Sequence, residues 1–367
     1  MKKGSVFFAL CSCFLIYALL HYPTAMLTAT AESIQLWLTK VFPSLFPFLV
    51  TCGILFRTGT AEWIGRFLHP LMKPLFGLNG IAAFPFFLGI LSGYPMGAKI
   101  TAQLYENNQI TLEEAEHILV FSNNPGPLFL IGTIGAGFFG IPFYGYILLL
   151  CSFLGAVLTG ILWRCKRKTS PINRCTYSVS SPSIPPAEAL STSVADSINT
   201  ILLIGGYLIF FCAISEAMKQ VGLFFLLSRS LFFLPFSAGT LQGFCSGILE
   251  MTNGAYLLSQ TSDELRLRLT MVAFLVSFGG LSILGQTFGV LSSVPISKKD
   301  YLKGKLCNAL FSSLFCYFFY PIFVQKAQKA VPVFFAFTET AFTMSFLWLL
   351  PSLFFLGVLC HALIRNR

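Results

Sequence analysis

The stretch Ile118-Leu-Val-Phe-Ser-Asn-Asn-Pro-Gly-Pro-Leu-Phe129 opens a run of 46 residues, reaching Trp163, with no Asp, Glu, Lys or Arg. A helix needs about 20 apolar residues to cross a bilayer, so the run accounts for two spans with a turn near Pro142. Its first part is interrupted by Asn123-Asn124-Pro125-Gly126-Pro127. Proline removes a backbone donor and asparagine competes for backbone hydrogen bonds, so the helix stops there. In lipid the freed N–H and C=O groups would cost several kcal/mol each. Such a break is tolerated only where it faces protein or a water-filled cavity. The fold class follows: an all-α polytopic membrane protein with a polar interior.

Composition agrees. The 367 residues are 55% hydrophobic and 10% charged, with 41 Phe, and the mean hydropathy is +0.76. Soluble domains carry roughly a quarter charged residues. The apolar runs are continuous rather than alternating, which excludes a porin-like barrel. The net charge of +10 sits at chain ends and short loops, an orientation signal rather than a nucleic-acid footprint. Eleven Cys lie singly in apolar runs without CxxC, so neither a disulfide framework nor a metal site is expected. His21, His69, His117 and His361 are read as separate interfacial residues, so no metal and no cofactor is expected.

Working outward, Gly4–Ala31 is uncharged and is read as an uncleaved first span. Val41–Phe56 is a second, followed by a basic surface segment with Arg57, Arg66 and Lys73. Pro74–Ala98 is uncharged but punctuated by Pro and Gly. Residues 164–196 form a basic, Ser/Pro-rich linker. Ser197–Ser215, Leu269–Ser297, Leu306–Gln325 and Ala341–Ile364 complete the spans, with Leu223–Phe236 lying at the surface. The two Gly-rich stretches either dip in and return or both cross fully, and parity favours the dips. If Pro74–Ala98 and Ser237–Ser259 dip in and return, eight spans remain, and the chain start, the 164–174 cluster, the chain end and Lys298, Lys299, Lys303 and Lys305 all fall on the cytoplasmic side. The expectation is therefore about eight transmembrane helices plus two re-entrant hairpins, in the cell (inner) membrane, with both termini cytoplasmic.

Three features recur in order. Ser92-Gly93 answers Ser246-Gly247, Thr111-x-x-Glu114 answers Thr261-x-x-Glu264, and Asn123-Asn124 answers Gly279-Gly280, at offsets of 154, 150 and 156 residues. The Thr-x-x-Glu pairs read as capping boxes. The predicted organisation is an N-terminal helix (1–32), a first repeat (33–163), the linker (164–196), a second repeat in inverted orientation (197–325) and a C-terminal helix (326–367). Inverted repeats with interrupted helices are a transporter signature, and solutes bind where the helices unwind.

Phe87-Leu-Gly-Ile-Leu-Ser-Gly-Tyr-Pro-Met-Gly-Ala-Lys99, Glu114–Phe129, Gly247-Ile-Leu-Glu-Met-Thr-Asn-Gly-Ala255 and Phe278-Gly-Gly-Leu-Ser-Ile-Leu-Gly-Gln286 together resemble the sporulation integral membrane proteins of endospore-forming Firmicutes. The resemblance runs from about Trp37 to Pro321. That family carries the nucleoside-recognition, or Gate, domain, which is related to concentrative nucleoside transporters and to the membrane part of ferrous-iron transporters. It implies hairpins and broken helices around a central site, and a part in forming the spore envelope and cortex. "Nucleoside recognition" names the domain and brings no nucleoside with it.

Among candidate residues, Glu250 is the only carboxylate between Ser230 and Ser262. A carboxylate in the membrane is costly and marks a functional site, here for a proton or a monovalent cation. Ser122, Asn123 and Asn124 offer amide and hydroxyl groups suited to a neutral polar solute, with Asn253, Gln286 and Thr287 as their second-half counterparts. Ser92, Gly93, Tyr94 and Pro95 are expected to shape the first hairpin tip, and Lys99 to snorkel to the interface. Paired carboxylates and HExxH are absent, so no enzyme activity is expected. The expected partners are the lipid bilayer and a small polar solute, without nucleic acid, and oligomeric state is left open. Two functions follow, a transporter or binder of that solute, or a non-transporting scaffold that recruits envelope-assembly partners.

Overall fold

A computed structural model describes residues 3–58, 72–164, 185–230 and 236–324. The described residues are helical throughout, with no strand. The predicted C-terminal helix (326–367), most of the basic 57–73 segment and the basic cluster at 166–174 lie outside them.

The N-terminal region departs from a single span. Helix α1 (Lys3–His21) ends at Tyr22, and α2 (Pro23–Leu36) leaves at 108° to it. Pro23 stands at the first turn of α2, where its missing N–H costs nothing but its ring stops α1 from continuing. A π-helical turn, Trp37–Val41, joins α2 to α3 (Phe42–Arg57). A short helix over 72–76 (α4) follows.

Next come α5 (Ala83–Ser92) and α6 (Met96–Glu106), packed against each other as a hairpin turned at Gly93-Tyr94-Pro95. Arms of 10 and 11 residues reach only about 15–17 Å, half a bilayer. The hairpin extends to Glu106, beyond the uncharged stretch that announced it. Helix α7 (Leu112–Ser122) stops at the Asn-Asn-Pro-Gly-Pro break and resumes as a π-helical segment, Phe129–Phe138. Helix α8 (Pro142–Arg164) closes the half.

The order then recurs. Helix α9 (Pro186–Gln220) begins ten residues earlier than the predicted linker end of 196, and its 35 residues exceed a bilayer's thickness. After α10 (Leu223–Ser230), the hairpin α11 (Ala238–Leu249) and α12 (Met251–Gln260) turns at Glu250. Helices α13 (Leu265–Phe278) and α14 (Gly280–Val290) form one apolar rod broken at Gly279, where φ of +90° is a left-handed conformation open to glycine. Helix α15 (Lys298–Phe319) follows.

The packing is nearly unchanged when the halves are exchanged. The pairs α5·α6 and α11·α12, α7·α8 and α13·α15, α7·α15 and α13·α8, and α6·α14 and α12 with Phe129–Phe138 are all in contact. The self-corresponding pairs α3·α9 and α8·α15 are among the most extensive. One predicted repeat feature fails. Thr111 and Glu114 form a reciprocal capping box on α7. Thr261 and Glu264 do not, because α13 starts late enough to make Glu264 itself the cap residue, without a side-chain bond. Thr261 instead bonds back to Leu258.

Polarity is arranged as a membrane requires. Leu10, Ile16 and Leu20 on α1, Leu202, Leu203 and Phe210 on α9, and Leu310, Leu314 and Phe318 on α15 are exposed, while Asn123, Asn124, Glu250, Gln286, Lys305 and Asn308 are buried. Among the described residues four helices, Pro142–Arg164, Pro186–Gln220, Leu265–Val290 (through the Gly279 break) and Lys298–Phe323, are long and apolar enough to cross a bilayer. This is an integral membrane protein.

Candidate functional site

The two hairpin tips and the two helix breaks converge. Gly93 at the first tip has φ of +77°, and a Cβ there would stand 2.6 Å from the backbone nitrogen of Gly126 in the α7 break. The tip therefore rests on the broken backbone directly. The two breaks are then laced by side chains. Asn123 Nδ2 donates to Thr287 Oγ1 on α14 (3.1 Å) and to the Tyr301 hydroxyl on α15 (2.8 Å). Asn124 Nδ2 donates to the Phe121 carbonyl (2.5 Å), and Asn124 Oδ1 accepts from Asn308 Nδ2 (2.9 Å). On the other side, Ser277 at the end of α13 bonds Ser152 on α8 (3.2 Å).

Lys305 stands at the centre of this lacing with no exposed surface. Its Nζ donates to the Asn123 carbonyl (2.9 Å) and to the Tyr94 hydroxyl (2.7 Å), 4.8 Å from the Tyr94 ring centroid. The Tyr94 hydroxyl lies 3.0 Å from the Val276 carbonyl and 3.2 Å from that of Ser277, both at the C-terminal end of α13. Lys305, expected on the cytoplasmic side with Lys298, Lys299 and Lys303, differs from those three in being buried within the protein on α15. The signal was available, since Tyr301, Lys305, Asn308 and Ser312 recur at spacings of four, three and four along α15, and all four are buried. That is one inward face of a 3.6-residue period.

Beside this junction lies a cavity of about 40 Å³. Its polar wall consists of Ser92, Tyr94 and backbone of Gly93 and Gly126 from the first half, with Glu250, Thr252, Ser282 and Gln286 from the second. Leu45, Phe129, Tyr207 and Ile283 supply apolar wall. Glu250 is 3% exposed and caps α12, accepting from Thr252 N (3.0 Å) and Asn253 N (2.7 Å). Two backbone N–H donors and the positive end of the helix dipole compensate a carboxylate there. Gln286 and Ser282 are different. Neither the amide oxygen nor the amide nitrogen of Gln286, nor Ser282 Oγ, has a hydrogen-bond partner among the described residues, although both residues are buried. An unmet polar group of this kind costs about 1–3 kcal/mol, and both side chains line the cavity.

The structure divides the predicted site residues. Ser92, Gly93, Tyr94, Glu250 and Gln286 line the cavity. Asn123 and Asn124 do not, and their amides serve the helix ends and the neighbouring helices instead of a recognition surface. Thr287 is Asn123's partner, and Asn253 Nδ2 bonds Ser246 Oγ (3.0 Å) within the second hairpin. Ser122 presents its carbonyl to glycines 89 and 97 of the first hairpin. Pro95 is buried as the cap residue of α6. His117 is buried rather than interfacial, its Nε2 2.8 Å from the Gly160 carbonyl. Among the described residues no cluster of His, Cys, Asp or Glu could hold a metal ion. Ser282 and Tyr207 were missed from sequence, because only packing brings α9 and the buried face of α14 to one chamber.

Comparison with known proteins fits this architecture. The Gate family model, described as nucleoside recognition, matches residues 38–142. The sporulation integral membrane protein YlbJ of Bacillus subtilis (strain 168) is 30% identical over 325 residues, covering 82% of this chain and 79% of its own length. Among solved structures, CNTnw in an inward-facing substrate-bound state is similar at TM-score 0.54 and 13% identity, over 86% of this chain and 85% of the other. A variant of CNTnw in an outward-facing state is similar at TM-score 0.55 and 12% identity, over 88% and 86%. At such identities the likeness is one of fold.

Proposed function

We infer function from one premise: this chain belongs to the family of the sporulation integral membrane protein YlbJ, and it carries a Gate domain on a fold like that of CNTnw. In our reading the protein binds a small polar solute between its hairpin tips and carries it across the cell membrane during spore formation, in support of the envelope and cortex. One observation carries this reading, buried Gln286 and Ser282 side by side on the cavity wall with no hydrogen-bond partner for either among the described residues. An amide that offers a donor and an acceptor at once suits a neutral or zwitterionic solute. Glu250 is the charge-sensitive element, a carboxylate on the same wall that a proton or a cation entering with the solute would meet.

The cavity of about 40 Å³ holds water-sized molecules, whereas pockets for drug-sized ligands run to about 300–1,000 Å³. A solute as large as a nucleoside therefore enters only when the hairpins part from the breaks. In this reading three crossings and one hairpin per half turn the second half upside down in the membrane. With the halves inverted, parting one hairpin opens one face and parting the other opens the opposite face.

The experiment compares solute accumulation in sporulating cells carrying wild type, Gln286→Leu or no copy of the gene. Leucine fills the same volume and removes two unmet polar groups, so Gln286→Leu should be more stable than wild type by about 1–3 kcal/mol yet fail to accumulate the solute. Retained accumulation at normal membrane abundance would refute the reading, and would favour a scaffold that needs no chamber.

A further inference from the structure

Lys305 raises a question that the cavity does not. An ammonium ion buried in a membrane helix is expensive and is ordinarily paired with a carboxylate. Among the described residues no carboxylate lies within ion-pair distance of Lys305. Its surroundings are negative in another way. The Asn123 carbonyl is the free end of α7, and Tyr94, the second acceptor, is itself tied to the last-turn carbonyls of α13. Two interrupted helices thus turn the negative ends of their dipoles toward one ammonium. Helix C-termini and unwound carbonyls are the groups that coordinate a free cation where broken helices meet in a transporter.

We propose that Lys305 is the protein's own tethered cation at this junction, so that hairpin and broken helices close around the solute chamber without an inorganic cation. The ammonium holds the first hairpin tip, through Tyr94, to the end of α7, through Asn123. It rides on α15, whose exposed face is charged over its first turns and apolar from Leu306 onward. A fixed charge cannot dissociate, so closure is insensitive to sodium. A proton or cation at Glu250 stays a separate matter, because Glu250 caps α12 and has no bond to Lys305. The inference deepens the solute-binding reading but is tested without any solute.

The test uses the purified full chain in detergent, with thermal unfolding followed in sodium, lithium or choline chloride at equal ionic strength. Glu250→Gln, which removes the carboxylate where a separate cation could bind, should give the same Tm in all three, and wild type should differ from it in sodium only through that carboxylate. Lys305→Ala should melt lower in choline, and n-propylammonium chloride, which returns the deleted atoms, should raise its Tm saturably, as a ligand specific to the folded state does. Lys305→Met, which keeps the bulk, should melt lower in choline without that rescue. A saturable sodium-dependent rise in Tm that persists in Glu250→Gln would overturn the proposal by revealing a free-cation site at the junction. So would Lys305→Ala or Lys305→Met as stable as wild type, or Lys305→Ala unmoved by propylammonium. If neither Lys305 variant folds, the salt comparison of wild type and Glu250→Gln decides alone. Solute accumulation by wild type and its loss in Gln286→Leu are read with Lys305 unchanged, so the two readings fail independently.

Discussion

Replacing Asn123 by Ala separates a structural brace from a recognition group. The side chain donates to Thr287 Oγ1 at 3.1 Å and to the Tyr301 hydroxyl at 2.8 Å. At about 0.5–1.5 kcal/mol per hydrogen bond, their loss costs about 1–3 kcal/mol. Two features lower the figure. Asn123 Oδ1 is buried without a partner, so its removal returns some desolvation energy, and Thr287 and Tyr301 remain close enough to hydrogen-bond each other. We expect about 1–2 kcal/mol for Asn123→Ala, measured by equilibrium unfolding of the full chain in mixed micelles without solute. A double-mutant cycle with Thr287→Val, which preserves shape, should return a coupling of about 0.5–1.5 kcal/mol. Additive single effects, or an Asn123→Ala protein as stable as wild type, would refute the brace and return Asn123 to the solute.

Three further outcomes follow from the geometry. In Gly254→Ala the new Cβ would stand 2.1 Å from Gly247 Cα, so the arms of the second hairpin must separate. The same unfolding assay should register about 1–3 kcal/mol of overpacking cost, or more if the backbone cannot yield. Asp263, in the connection after that hairpin, is held below the usual carboxylate range by hydrogen bonds from Thr240 and from Ser237. A depressed pKa contributes stability above the ordinary carboxylate value that is lost as pH falls through the depressed one. Wild type should thus exceed Asp263→Asn in stability near neutral pH, the gap closing below about pH 4, and a pH-independent gap would exclude this role. Single cysteines at Asn108 and Ser262 should be labelled from opposite faces of the membrane, the first from the cytoplasm and the second from outside. Labelling from one face would remove the inversion between the halves.

Much of the molecule was legible as pattern. The Asn-Asn-Pro-Gly-Pro interruption and Gly279-Gly280 break helices wherever they occur, since they act through φ and missing donors rather than through neighbours. The first hairpin turns at Gly93-Tyr94-Pro95, within the expected tip, whereas the second turns at Glu250, beyond the Ser246-Gly247 pair that answers Ser92-Gly93 in the sequence and lies inside α11. Helix starts were read less well. The bend at Pro23 and the early start of α9 at Pro186 depend on what each segment packs against, and hydropathy is silent on that. Thr261 and Glu264 have the spacing of a capping box but lack the box, because where α13 begins is decided by the hairpin before it.

What the sequence determined by itself was the class, the interruptions and their order, all consequences of local backbone chemistry and of lipid that solvates no peptide group. What only the tertiary structure decided was the allocation of polar side chains. Asn123 and Asn124 brace helices, Gln286 and Ser282 face the chamber, and Lys305 sits between two helix ends. A buried polar group is defined by its partners, and for the side chains of Asn123 and Lys305 those partners are 164 to 211 residues away along the chain. No local reading could weigh a hydrogen bond whose other half is supplied by packing.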